Sequence, residues 1–255
     1  MIDIHCHILH GIDDGPRTLG EGISLAKSAV KEGIHTIIAT PHHKNGRYIN
    51  TKQDILKKVT ELNDILQSEK IPLTILPGQE TAIHGEILRG IEVGEILTLD
   101  RTQYLFIEFP ASHVPHYSEQ IFYELQLKGI IPIIVHPERN AEIIERPDIL
   151  YQLVKNGALV QITASSIVGR FGKKIKAFSE QLIDANLVHF IASDAHNTDK
   201  RSFYMQHAYS NVRKRYGTDM VYLFRDNAEL LTQGKNIYKD IPARVRNRKM
   251  IGWFN

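Results

Sequence analysis

Short apolar runs recur along this chain, and a histidine or an acidic residue stands at or just beyond the end of one after another: His5, His7, Asp14, His42, Glu80, Glu108, His136, Asp194 and His196. Runs such as 36–40 and 131–135 read as buried parallel strands, apolar throughout because helices cover both faces of a parallel sheet. A barrel rim is the arrangement that gathers the carboxyl ends of many such strands. With 255 residues, 42% of them hydrophobic, the chain suits one large α/β core better than two small ones.

Apolar runs are expected as strands at 2–6, 36–40, 73–76, 104–107, 131–135, 158–162 and 188–192, seven in all, alternating with amphipathic helices. Thr18 and Glu21 form a capping box that opens a first helix ending near Gly33, with Gly22, Ala26, Ala29 and Val30 facing inward. A second helix from Thr51 repeats Ile55, Val59, Leu62 and Leu66 at helical spacing. Further helices are expected at 118–128, 148–156, 173–186 and 201–216, then one or two short ones over 219–231, with Gly129 and Gly157 as C-terminal stops. The domain is placed at 1–238, and 239–255 reads as a basic tail, with Arg244, Arg246, Arg248 and Lys249, either docked on that domain or extending from it.

Acids and bases nearly balance, 29 against 31, for a formal charge of +2, which argues against nucleic acid or an anionic membrane as partner. The single cysteine, Cys6, cannot form an internal disulfide, and the first residues lack the basic and apolar regions of a leader, so a cytoplasmic location is expected. No apolar stretch approaches the ~20 residues a membrane span requires.

In His5-Cys6-His7, strand alternation sets both imidazoles on one face and the thiol on the other. Alone, such a pair is a weak signal, since two half-buried strand histidines bonded to neighbours account for it more readily than metal binding; Asp194-Ala195-His196, spaced alike beyond the last strand, makes coincidence less credible. Pro41, Pro110 and Pro137 adjoin the strand ends and fix the rim loops. Glu108 follows Leu105-Phe106-Ile107, where a buried carboxylate is costly unless paired or bound to a cation. Nine candidate ligands exceed the roughly four to six that one transition-metal ion takes, so two or three ions follow. Five imidazoles and four carboxylates without a thiolate favour manganese, iron or zinc. Three divalent ions facing four carboxylates leave an excess of about two positive charges, which suits a phosphate monoester dianion.

The set His5-x-His7, Asp14, Thr40-Pro41-His42, Glu80, Glu108, His136 and Asp194-x-His196 resembles the polymerase and histidinol phosphatase (PHP) family of metallophosphoesterases over essentially the whole domain. Three more specific stretches, residues 3–9, Ile12-Asp13-Asp14-Gly15-Pro16 and Val135-His136-Pro137-Glu138-Arg139, are similar to the manganese-dependent protein-tyrosine phosphatases of Gram-positive capsule and exopolysaccharide loci. The resemblance implies a distorted (β/α)7 TIM-like barrel, the PHP fold. It implies one metal on His5, His7, Glu80 and Asp194, a second on bridging Glu80 with Glu108 and His136, and a third on Asp14, His42 and His196. It further implies manganese, with iron or zinc as alternatives, and tyrosine-phosphorylated proteins, among them a bacterial tyrosine kinase, as partners. The mechanism expected is in-line attack of a metal-bound hydroxide on phosphorus, with Arg139 and Arg201 bracketing the phosphate. Arg201 is equally compatible with a helix-surface charge.

Position 12 is isoleucine, so Cys6 lacks the arginine six residues on that marks cysteine-based tyrosine phosphatases, and a packed strand thiol is the expectation. His43 competes with His42; the family pattern favours the first histidine after proline. His10, His84, His113 and His116 fall in rim loops, and Phe109, Tyr117 and Phe171 are candidates for a phenyl pocket. The rival readings are a phosphatase of a small monoester such as histidinol phosphate, a binding domain with a degenerate site, and an amidohydrolase, which Asp194-x-His196 and the Asp14/His42 pair fit poorly.

Overall fold

A computed structural model describes residues 1–246. The chain alternates strand and helix: β1 Ile2–Cys6, α1 Leu19–Lys31, β2 Thr36–Ala39, β3 His42–His43, α2 Lys52–Ser68, β4 Thr74–Pro77, β5 Glu80–Ala82, α3 Ile87–Glu92, β6 Tyr104–Glu108, α4 Ser118–Leu127, β7 Ile131–Val135, α5 Ala141–Glu145, α6 Asp148–Lys155, β8 Leu159–Thr163, α7 Ala164–Val168, α8 Lys173–Asp184, β9 Phe190–Ala192, α9 Met205–Tyr216 and α10 Thr218–Thr232. All strand pairings are parallel, in a sheet ordered β1-β2-β4 and another ordered β3-β5-β6-β7-β8-β9.

Two staves are broken, and the breaks distort the barrel. Pro41, which has no N–H to donate, separates β2 from β3. Gly78 separates β4 from β5 and packs so tightly that a Cβ there would lie 2.6 Å from Ile38. The Glu80 N–H bonds the Pro41 carbonyl at 3.0 Å, which carries the pairing across both breaks. The ring closes between β9 and β1: Cys6 and Ala195 bridge in parallel, Asp194 N–H donates to the His5 carbonyl at 2.9 Å, and His7 N–H donates to that of Ala195 at 2.9 Å. Seven staves result, at the expected places.

Apolar side chains divide into two layers. Ile4, Ile38, Phe106, Ile133, Leu159 and Phe190 fill the lumen, stoppered by Ala228 and Leu231 of α10. A larger layer lies between staves and helices, including Leu25, Ala26 and Ala29 of α1 and all four residues expected of α2. Val30 is only half-buried, and Leu25 takes its place. Thr18 Oγ1 accepts from Glu21 N–H at 3.3 Å, a cap worth about 1 kcal/mol. Ile4 lies in the lumen and Cys6 in the helix-side layer, although two residues of a regular strand share a face. The pairing irregularity between Asp3 and Cys6 reverses the alternation, which frees the mouth for His5 and His7.

Helix α9 begins at Met205, not near 201, because the loop before it is ordered by its own bonds: the Arg201 carbonyl accepts from His196 and Asn197, and Tyr204 turns left-handed at φ 52°. Residues 219–231 form one helix. Of the basic tail, the Ala243 N–H bonds the Ala185 carbonyl at 2.9 Å, and the Arg244 guanidinium lies 4.9 Å from the Tyr151 ring centroid; Arg248 and Lys249 lie outside the described residues. Among the described residues, no helix is long and apolar enough to cross a membrane.

Candidate metal centre

All nine expected residues meet at the carboxyl-terminal mouth. His5 lies in β1 and His7 just past it, Asp14 in the following loop, His42 in β3, Glu80 in β5, Glu108 at the end of β6, His136 one residue past β7, and Asp194 and His196 past β9. Glu80 Oε2 is the centre of the cluster, 3.4 Å from His5 Nε2, 3.2 Å from His7 Nε2 and 2.9 Å from His42 Nδ1. Asp194 Oδ1 lies 3.5 Å from His7 Nε2 and 3.6 Å from His5 Nε2. Asp14 Oδ1 lies 3.2 Å from His196 Nε2 and 3.4 Å from His42 Nε2, and His136 Nε2 is 2.7 Å from Glu80 Oε1.

Three groups have donor atoms close enough to share an ion: His7, Asp14, His42 and His196; His5, His7 and Glu80; and His42, Glu80 and Glu108. The first adds His7 to the trio Asp14, His42 and His196. In the third, His42 stands with Glu80 and Glu108, while His136 touches Glu80 and is 3.9 Å from Glu108. His43, on the same strand, turns away and belongs to none of these groups, nor do His10, His84, His113 and His116.

The donor set fits divalent cations. Five buried atoms, His5 Nε2, His7 Nε2, His42 Nδ1, His196 Nε2 and Glu80 Oε2, make no well-formed hydrogen bond despite their closeness, and their residues belong to the three overlapping groups. Buried polar atoms are rarely left so. Behind three of the rings the other nitrogen is engaged: His5 Nδ1 with Gln161 Oε1 at 2.9 Å, His7 Nδ1 with Asp13 Oδ2 at 2.7 Å and His196 Nδ1 with the Asp194 carbonyl at 2.9 Å. A proton held there leaves the inward lone pair available, the arrangement usual behind metal-bound histidines.

Charge is concentrated accordingly. Burial opposes ionisation of Asp194, but Arg139 and the neighbouring histidines hold its pKa well below the usual carboxylate range. Burial likewise opposes His42, yet the Glu80 carboxylate raises it to about 10, while burial and the charge of His7 lower His196 to about 4. His136 and Asp194 both occupy left-handed backbone at φ 37° and 55°. Such conformations cost on the order of 1–3 kcal/mol each and are held here by Gln161 and His5 carbonyls, which accept their N–H groups at 2.8 and 2.9 Å.

Both arginines reach the centre. Arg139 donates to Asp194 Oδ2 at 2.9 Å; Arg201 donates to Asp14 Oδ2 at 2.9 Å and lies 3.5 Å from Asp194 Oδ1. Arg201 therefore sits in the rim loop, not on a helix surface. A cavity of about 400 Å³ opens beside them, lined by Phe109 and Phe171 as well as Glu108, His136, Arg139 and Arg201; Tyr117 is not part of its lining. The Cys6 thiol points away and donates to the Ala195 carbonyl at 3.4 Å, and burial pushes its pKa well up.

Sequence reasoning missed the supporting shell. Gln161 is a polar residue inside the apolar run of β8, and that contrast was a usable signal. Asp13 was masked by Asp14 beside it. Glu138 is fully buried, its Oε1 accepting from Thr163 N–H at 2.9 Å, Thr163 Oγ1 at 3.0 Å and Ser166 Oγ at 2.7 Å, which pins the turn that carries Arg139.

The chain is similar to proteins already described. It is 50% identical over 254 residues to the tyrosine-protein phosphatase YwqE of Bacillus subtilis, covering all of both chains. It is 30% identical to the tyrosine-protein phosphatase CpsB of Streptococcus agalactiae, over 93% of this chain and the whole of that one. A chain from the crystal structures of YwqE from B. subtilis and CpsB from Streptococcus pneumoniae, described as unique metal-dependent tyrosine phosphatases, superposes with a TM-score of 0.95 at 50% identity, over 96% of this chain and all of that one. The family model for capsular polysaccharide synthesis, CpsB/CapC, matches residues 1–233, and the chain belongs to that family.

Proposed function

We propose that the protein is a metal-dependent protein-tyrosine phosphatase of capsule-locus type, working in the cytoplasm on a bacterial tyrosine kinase and its substrates. The observation that carries this is the convergence of five buried donor atoms, none in a well-formed hydrogen bond, under two arginines at the edge of an open cavity. The named activity of the relatives favours phosphotyrosine over histidinol phosphate.

His5, His7, Asp14, His42, Glu80, Glu108, His136, Asp194 and His196 would hold two or three ions, with manganese the expected metal and iron or zinc alternatives. Bound ions would supply an acidified water and neutralise charge on the phosphoryl oxygens. Arg139 and Arg201 present guanidinium forks that now donate to carboxylates; a phosphate dianion offers the same acceptor geometry and would be oriented between them. The mouth is open, so a phosphorylated segment of another protein can reach it. A phenol leaves with a pKa of about 10, so protonation of the leaving oxygen is less demanding than for an alkyl ester.

The test compares manganese-dependent kcat/KM on a phosphotyrosine peptide and on histidinol phosphate, with metal-stripped protein as control. Preference for the peptide is expected. Preference for histidinol phosphate would overturn the substrate, and no turnover of either would overturn the enzymatic reading. His136→Ala and Asp194→Ala should each abolish turnover and lower metal content without unfolding the barrel.

A further inference from the structure

We propose that Phe171 is the specificity-determining residue of the cavity, a ring wall that receives the phenyl group of the substrate and so selects aryl over alkyl phosphate monoesters. The inference rests on the phosphatase reading above and names what that site distinguishes.

The cavity has a polar side, formed by Glu108, His136, Asp194 and the two arginines, and an apolar side, where Phe109 and Phe171 are its only phenyl rings among the described residues. The two phenylalanines differ in availability. Phe109 is 6% exposed and stacked on Phe122 at a centroid distance of 5.9 Å, so its faces are committed to the core. Phe171 is 39% exposed and lines the cavity, so its ring is open to a bound group.

Arg139 ties the two sides together. Its guanidinium donates to Asp194 Oδ2 at 2.9 Å, while its Cζ lies 5.2 Å from the Phe171 ring centroid, within cation–π range. A phosphate anchored by Arg139 is therefore one guanidinium away from an exposed aromatic ring. In phosphotyrosine the phenyl group is joined directly to the ester oxygen, so a phosphate held there carries its ring toward Phe171. Phosphoserine places a single methylene at that point and leaves the ring uncovered.

The wall is also held in place. Phe171 lies in a Gly-Arg-Phe-Gly turn whose two glycines take left-handed φ of 86° and 91°, which a side chain would resist. The Arg170 guanidinium lies 5.2 Å from the Tyr204 ring, and the Gly172 N–H bonds the Gly169 carbonyl at 3.0 Å. The α7 end of the turn is bound through Ser166 to Glu138, the neighbour of Arg139, so ring wall and phosphate anchor share one support.

The experiment measures kcat and KM of wild type, Phe171→Ala and Phe171→Trp with manganese on a phosphotyrosine peptide. It also measures inhibition by inorganic phosphate, metal content and melting temperature. In Phe171→Ala, KM should rise about ten-fold, the scale of a lost aromatic contact with its buried area, while kcat, metal content and the phosphate inhibition constant stay within two-fold. Phe171→Trp should retain a KM near wild type. An unchanged KM in Phe171→Ala overturns the inference. So does an equal weakening of phosphate inhibition, which would make Phe171 a support for Arg139 alone. If wild type does not turn over the peptide at all, the phosphatase reading falls and this inference with it.

Discussion

A ring nitrogen can offer its lone pair inward only if the proton is held on the other nitrogen, and at His7 that duty falls on Asp13. Its Oδ2 is 2.7 Å from His7 Nδ1, and its Oδ1 accepts the Gly15 N–H at 2.9 Å, so one carboxylate orients the ring and shapes the loop carrying Asp14. The loop is tight: a Cβ on Gly15 would lie 2.3 Å from the His7 carbonyl. Asp13→Ala should lower manganese affinity about 10–100-fold, read by competition with a chelator, with a smaller change in melting temperature. An unchanged affinity would remove Asp13 from the centre. Residue types near strand ends made the nine candidates legible, because a polar group closing an apolar run is conspicuous. Asp13 and Gln161 were not, because their roles depend on which ring each faces across the barrel.

At the scale of elements, length decided what could be read. The helices α1 and α2 carry enough residues for a period to show, and their buried faces were legible to within a residue, while the seven staves showed as continuous apolar runs. The helices α3, α5 and α7 span only five or six residues, too few for a period, and were missed. So were β3 and β5, which resume their staves after Pro41 and Gly78 in polar sequence. The turn 137–139 owes its place to Glu138, whose loss would leave Thr163 N–H and two hydroxyls buried without their acceptor. Glu138→Ala should cost about 1–3 kcal/mol in denaturant unfolding and reduce kcat, with Glu138→Gln milder in both. Equal activity in all three proteins would separate the turn from the chemistry.

The seam beside β9 carries a pH dependence of its own. His189 is buried, its Nδ1 accepts the Val160 N–H at 3.1 Å, and burial, with the charge of Lys239, lowers its pKa to about 3. The unfolded chain protonates that ring near 6.5, so it binds more protons than the native state between these values. The stabilisation is complete above about 6.5 and declines as pH falls toward 3. In metal-stripped protein, His189→Asn, which keeps an acceptor, should narrow the gap in melting temperature between pH 7 and pH 4.5. A gap as wide as wild type's would exonerate His189.

For the whole molecule, the proposed ions act as ties between staves, since the donors come from six of the seven and β8 contributes Gln161 behind His5. Ions that bind only the closed barrel stabilise it by mass action. Restoring manganese to stripped protein at a hundred times its dissociation constant should add about 2.7 kcal/mol per independent site, seen as a rise in melting temperature. An identical melt with and without manganese would sink the tie. The barrel as a class was legible in the recurrence of strand ends, whereas its closure was not, since the seam joins residues far apart in the chain. That seam also orders events in time. Cys6 and Ala195 stand 189 positions apart, so on the ribosome His5 and His7 emerge first and wait for Asp194 and His196. A chain interrupted before residue 194 carries seven of the nine candidate ligands and no closed ring, so a complete centre would mark a polypeptide that has passed the seam.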